Sequence, residues 1–142
     1  MKLSTHFSLS EFTTSQTASR RGIDNTPPPE VIAALHRTAL GLEMVRALIQ
    51  APIQITSGYR SPALNKAVGG SRNSQHTRGE AADIVAPGFG TPADLVKIIV
   101  AHPEIAFDQC ILEFDSWCHI SFTDKPRRQA LVIDRTGTRV FA

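Results

Sequence analysis

The sequence predicts an α+β fold, with a small, mainly antiparallel sheet and helices packed on it. Three observations lead there. Helical and strand-like segments follow one another without the regular βαβ alternation of a parallel sheet. One long segment, residues 30–50, repeats its apolar residues at helical spacing. Near the C-terminus, "QCILEF" with "WCHISF" and "ALVID" with "TRVFA" form two pairs of short β-rich runs, each pair close enough in sequence to make a hairpin.

The elements follow in order. In "SLSE", Ser8 and Glu11 have the spacing of a capping box, so a short helical turn begins there. "TASRRGIDNTPPP" reads as irregular and ends in prolines that cannot lie inside a helix. Val31, Leu35, Leu42, Val45 and Ile49 then mark the buried stripe of a scaffold helix over 30–50. "PIQIT", 52–56, alternates and is rich in β-branched residues, which predicts a strand, and "SGYR" follows as a turn. Ser61 and Pro62 are placed as N-cap and first residue of a helix running to Val68 and stopped by Gly69-Gly70. Residues 71–79 read as a loop, "AADIV" (81–85) as a strand, and 92–101 as a helix capped by Thr91 with Asp94 in its first turn. With 142 residues, the chain is expected to be one domain, 1–142, its first 29 residues packing on the rest as an N-terminal extension.

Composition narrows the function classes. Apolar content of 42%, charged content of 20% and a formal charge of +2 are ordinary for a globular protein. No basic arm or aromatic–basic run points to nucleic acid. No segment has the length of a membrane span or of a signal peptide, so synthesis in a cytoplasm without a leader is the expectation. The two cysteines, Cys110 and Cys118, are too few for a disulfide framework and read as reduced, half-buried small apolar residues. Nothing in the sequence reports oligomeric state, and a monomer is the default expectation.

The chemistry-bearing residues form one constellation. His76 lies in a loop, Asp83 seven residues on in a strand, and His119 in a distant strand. Two imidazoles and a carboxylate are a ligand set for a catalytic zinc, which takes three protein ligands and leaves a position for water. On spacing alone, a solvated loop histidine and an ordinary strand-edge carboxylate are the commoner reading. The hairpin adds a separate argument. Cys110, Leu112 and Phe114 alternate with Ile111 and Glu113, and Cys118, Ile120 and Phe122 alternate with Trp117, His119 and Ser121. The apolar sets share a face only if the turn has an odd length, such as 114–116, with Leu112 opposite Cys118. That register puts Glu113 on the face of His119, where a carboxylate beside a metal-bound water serves as general base. The alternative is a carboxylate paired with a surface cation. Arg60, ending "TSGYR", offers a fork suited to a carboxylate or oxyanion, or is simply a surface arginine. Ser74 and Gln75 could exchange hydrogen bonds near a metal or be plain loop residues. His6, His36 and His102 are taken as structural, and Tyr59 as packing.

The run "ITSGYRSPALNKAVGGSRNSQHTRGEAADI", followed by "ILEFDSWCHISF", closely resembles the M15 peptidases: zinc D-Ala-D-Ala carboxypeptidases and related peptidoglycan endopeptidases, of hedgehog/DD-peptidase-like fold. "HFSLSEFTTSQTASRRGIDN" extends the similarity toward the short, single-domain branch encoded by phages and prophages. The resemblance implies a Zn2+ cofactor on His76, Asp83 and His119, with Arg60 steadying the substrate carbonyl or oxyanion. Ser74, Gln75 and Trp117 are the candidate substrate contacts. Several members of the family carry an acid three positions before the second histidine, where this chain has Ser116; hedgehog-like relatives of the fold instead carry glutamate six positions before, here Glu113. Asp115, in the turn, is the alternative base. The implied function is hydrolysis of an amide bond in a wall stem peptide or crosslink, with a peptidoglycan peptide as partner, neither nucleic acid nor membrane, and action on the wall upon release. The alternative is a zinc-stabilised module that binds wall peptide or a protein partner without cutting; a purely structural domain without metal is a third.

Overall fold

The computed structural model describes residues 1–142. The fold is α+β: five α-helices and one short 3-10 turn accompany a six-stranded sheet. Helix α1, Leu9–Thr13, starts at the expected capping box of Ser8 and Glu11. Helix α2, Gln16–Arg21, lies where the sequence read as irregular. Its signals were local and short: the Ser15 hydroxyl accepts from the Ala18 N–H, and Gly22, at φ 64°, ends the helix in a left-handed turn. Helix α3, Pro29–Ile49, begins with the last of the three prolines at its first turn, where a missing N–H costs nothing, and ends one residue before the expected boundary.

Strand β1 covers Gln54–Ser57, two residues later at its start than "PIQIT" suggested. Helix α4, Pro62–Ala67, is capped by the Ser61 hydroxyl as expected. The 71–79 segment is not wholly a loop: Gln75–Arg78 form the 3-10 turn, with the Ser74 hydroxyl accepting from the His76 N–H. Strand β2 is Ala81–Val85, and α5, Pro92–Val100, starts at the Thr91–Asp94 box. Strands β3, Gln109–Glu113, and β4, Trp117–Ser121, form the hairpin, and β5, Gln129–Asp134, with β6, Gly137–Val140, the final pair.

The sheet order is β1-β2-β4-β3-β5-β6, and every pair is antiparallel except β3 with β5. That exception follows from the route of the chain. Strand β4 ends beside the start of β3, where the Asp108 N–H donates to the Ser121 carbonyl. The chain then crosses that end of the sheet and sets β5 off in the direction of β3. The buried Asp108 carboxylate pins the crossing through the Arg127 guanidinium, at 2.7 and 2.9 Å, and the Arg127 N–H.

The hairpin register is the one burial demanded. Leu112 faces Cys118, and residues 114–116 make the turn, Phe114 and Asp115 both at positive φ. One sheet face therefore sends Ile84, Cys110, Leu112, Cys118 and Ile120 into a cluster with Leu35, Leu42 and Val45 of α3 and Leu95 and Ile99 of α5. The cysteines are fully buried rather than half-buried, because both point to the core side of inner strands; they remain thiols, sulfurs 3.7 Å apart. Leu3, Phe7 and Phe12 add the N-terminal residues to the same core. The other sheet face is left to Asp83, Ile111, Glu113, Trp117 and His119.

Gly79 shows how tightly the turn that carries His76 is set on α3. It sits at φ +74°, and a Cβ there would lie 2.8 Å from the Val31 carbonyl oxygen. Replacement by alanine meets both an unfavourable φ and a backbone clash, so Gly79→Ala is expected to lower unfolding free energy by about 1–3 kcal/mol. Denaturant midpoints of the two proteins check this.

Candidate metal centre and active site

His76, Asp83 and His119 converge from three elements. The 3-10 turn brings His76, while Asp83 and His119 are direct partners across the β2–β4 ladder. All three are buried, and one ligand atom from each lies within 4.8 Å of the others. Asp83 Oδ1 stands 3.2 Å from His76 Nε2 and 3.1 Å from His119 Nδ1. Burial would push the Asp83 carboxyl up, but hydrogen bonds and charge from His119 and His76 outweigh it and hold the group well below the usual carboxylate range.

The tautomer of His76 is set from behind. Its Nδ1 donates to the Gly58 carbonyl at 2.7 Å. A neutral ring then turns its Nε2 lone pair toward Asp83 Oδ1, so two acceptors face each other. A shared cation, proton or metal, resolves that arrangement, and fixing one imidazole nitrogen so that the other can ligate is the usual device of a metal site. Two imidazole nitrogens and one carboxylate oxygen, close and shielded, suit a borderline-soft divalent ion.

Glu113 lies beside this group, its Oε1 3.5 Å from His119 Nδ1. Burial raises its carboxyl above the ordinary value; His119 opposes the shift, the Asp83 charge adds to it, and Arg60 opposes it. Arg60 reaches the group from beyond β1. Its guanidinium is 3.7 Å from Asp83 Oδ2 and is steadied by Ser57 Oγ and Asn65 Oδ1. Asp115 is exposed at the turn and lines a separate hollow with Leu112 and Val132. Ser116 is also exposed, its hydroxyl donating to the Phe114 carbonyl.

A cleft of about 560 Å3 opens over these residues, and Ser74, Gln75 and Trp117 line it together with Ile111 and Phe114. Gln75 donates through Nε2 to Asp108 Oδ2 at 2.8 Å. Its Oε1 and the Trp117 Nε1 are buried without a protein partner. Neither Asp108 nor the Gly58 carbonyl was singled out from the sequence. Asp108 gives no local signal, since its partners lie 33 and 19 residues away. Gly58 stands inside "SGYR", but a backbone carbonyl leaves no mark in a sequence. His6, His36 and His102 lie in other contacts: His6 with Glu43, His36 with the Leu3 carbonyl and His102 with the Ile98 carbonyl. Tyr59 is buried in the core cluster.

No helix is long and apolar enough to cross a membrane. No curated protein matches the chain. The family model described as Peptidase M15 matches residues 5–121. That span runs from before α1 to the last residue of β4, and encloses Arg60, His76, Asp83, Glu113 and His119. The match covers most of the chain and contains the whole buried cluster that could hold a metal, so the chain belongs to the M15 peptidase family.

Proposed function

We propose that this protein is a zinc-dependent peptidase that hydrolyses an amide bond in the peptides of the bacterial wall. The observation that carries the reading is the buried His76–Asp83–His119 group with Glu113 beside it. A zinc ion there would act as a Lewis acid and lower the pKa of its water toward ~7.

The chain's own residues do the rest. Glu113 takes up a proton at its carboxylate and returns it to the departing amine. Its burial supports that role, because a raised carboxyl holds a proton more readily than an ordinary glutamate at neutral pH. Arg60 directs its guanidinium at the carbonyl oxygen as negative charge develops. Ser57 and Asn65 keep the fork from swinging away. Ser74, Gln75 and Trp117 wall the cleft in which the substrate backbone lies. Glu113 is favoured over Asp115 because it shares a sheet face with His119 and Asp115 does not.

The test is metal analysis of the purified protein, followed by digestion of peptidoglycan and mass analysis of the fragments. One zinc per chain and new amine termini are expected. Chelation should stop cleavage and lower the melting temperature, and added zinc should restore both, since an ion bound only by the native state stabilises it. Zinc without cleavage would sink the enzyme reading in favour of a binding module. Cleavage unaffected by chelation would remove the metal from the reading.

A further inference from the structure

Asn25 stands between α2 and α3, in the stretch that reads as irregular from the sequence. Its side chain reaches backbone groups of two other segments. Nδ2 donates to the Thr13 carbonyl at 2.9 Å and to the Tyr59 carbonyl at 3.0 Å, and Oδ1 accepts the Ser61 N–H at 2.7 Å. The Tyr59 carbonyl and the Ser61 N–H belong to the two peptide groups that flank the Arg60 Cα. The first of these peptides is also held from its other side, where the Arg60 N–H donates to the His76 carbonyl at 3.1 Å. Asn25 and the turn that carries His76 therefore fix both peptides of Arg60 between them. The bracket extends to the guanidinium. Ser61 is the N-cap of α4, and Asn65 on that helix accepts from Arg60 Nη1 at 3.1 Å.

Building on the proposed peptidase function, in which Arg60 faces the reacting carbonyl, we infer that Asn25 is a positioning residue for Arg60: it fixes the arginine backbone so that the guanidinium stays beside Asp83. A guanidinium ends a long stem, so any shift at its Cα is carried outward to the fork, and a shift of ~1 Å at a reacting centre can cost ~10²-fold in rate. The bracket also demands an amide. Two carbonyls need two N–H donors and one N–H needs an acceptor, and asparagine supplies all three on a short stem. An aspartate of the same shape would set an oxygen against both carbonyls. Asn25 is itself held by a turn, in which Asp24 Oδ1 accepts the Thr26 N–H at 3.0 Å. The N-terminal residues thus do more than cover the core, because one of them supports the site. The rival reading is a clasp for the N-terminal segment alone. Such a clasp would act on stability, and its loss would cost the same whether or not Arg60 has its side chain.

The test is a double-mutant cycle on wall-peptide hydrolysis, with Asn25→Ala, Arg60→Ala and the double variant. Asn25→Ala should lower kcat about 10–100-fold, with KM within ~3-fold and metal content unchanged. In the Arg60→Ala background the same change should cost less than ~3-fold, because the group it places is gone. An equal loss in both backgrounds, or an unchanged kcat, would overturn the inference and leave the peptidase reading in place. Full activity in Arg60→Ala would remove that arginine from the mechanism and the inference with it. Glu43→Ala undoes the other clasp of the N-terminal residues, made by Ser4 and His6 to α3, and should lower the melting temperature with kcat unchanged. A matching fall in kcat there would mean that loosened packing explains Asn25→Ala, and would also overturn the inference. Should Asn25→Ala fail to fold, Asn25→Asp takes its place in the cycle. If the unmodified protein cuts nothing, the peptidase reading falls on its own. In that case, or if Arg60→Ala is too slow to measure, amide exchange decides the bracket. Loss of the Asn25 amide should speed exchange of the Arg60 N–H at least ~10-fold beyond any change at Ile120; equal changes at the two reject it.

Discussion

Glutamine in place of Glu113 is expected to lower kcat by about 10²–10⁴-fold, the usual contribution of a positioned general base. On the proposed mechanism the change removes the proton acceptor and little else. Glutamine has nearly the same shape, and the Glu113 carboxylate makes no hydrogen bond to the fold; its closest ionisable neighbour is His119, 3.5 Å away. Metal content, melting temperature and the affinity for uncut peptide should therefore stay close to those of the unmodified protein. Steady-state kinetics on wall peptides, with metal analysis of the same samples, checks the pair of expectations. An active Glu113→Gln protein would move the base elsewhere, and Asp115→Asn would then be the variant to measure.

Asp83→Asn is expected to act one step earlier and abolish activity by removing the metal. Asp83 is the element the two histidines share, and its Oδ1 lies within 3.2 Å of both. An amide is a poor ligand, and its neutral oxygen no longer balances the Arg60 guanidinium 3.7 Å from Oδ2. Metal analysis should show well under one ion per chain, and adding zinc should no longer raise the melting temperature. Glu113→Gln should keep that metal-dependent rise. The two variants thus separate holding the ion from using it, and a normal metal content in Asp83→Asn would mean that the site has been assigned to the wrong residues.

Much of this arrangement was legible in the sequence because burial determines it. The alternation in "CILEF" and "WCHISF" admits one register that buries both apolar sets, and that register puts Glu113 and His119 on one sheet face, as the fold does. His76, Asp83 and His119 were singled out by ligand chemistry and by resemblance, and the fold brings one ligand atom of each within 4.8 Å of the others. What escaped was of two kinds. Helix α2 is only six residues long, too short for an apolar period, and only its Ser15 and Gly22 caps announced it. The parallel placement of β5 and the Asp108–Arg127 pin arise from long-range packing. Pattern along the chain says nothing about which strand a segment will join after crossing the sheet.

The direct pairing of Asp83 with His119 across β2 and β4 has a consequence for how the site is assembled. Both strands are interior to the sheet, so the backbones carrying these two side chains are ordered by folding itself. Little conformational entropy is left to be lost when an ion arrives. Such a centre is preorganised: an ion bound there would be able to come and go through the cleft without unfolding the chain, and a cage of two imidazoles and one carboxylate would select against cations that need longer bonds and more ligands.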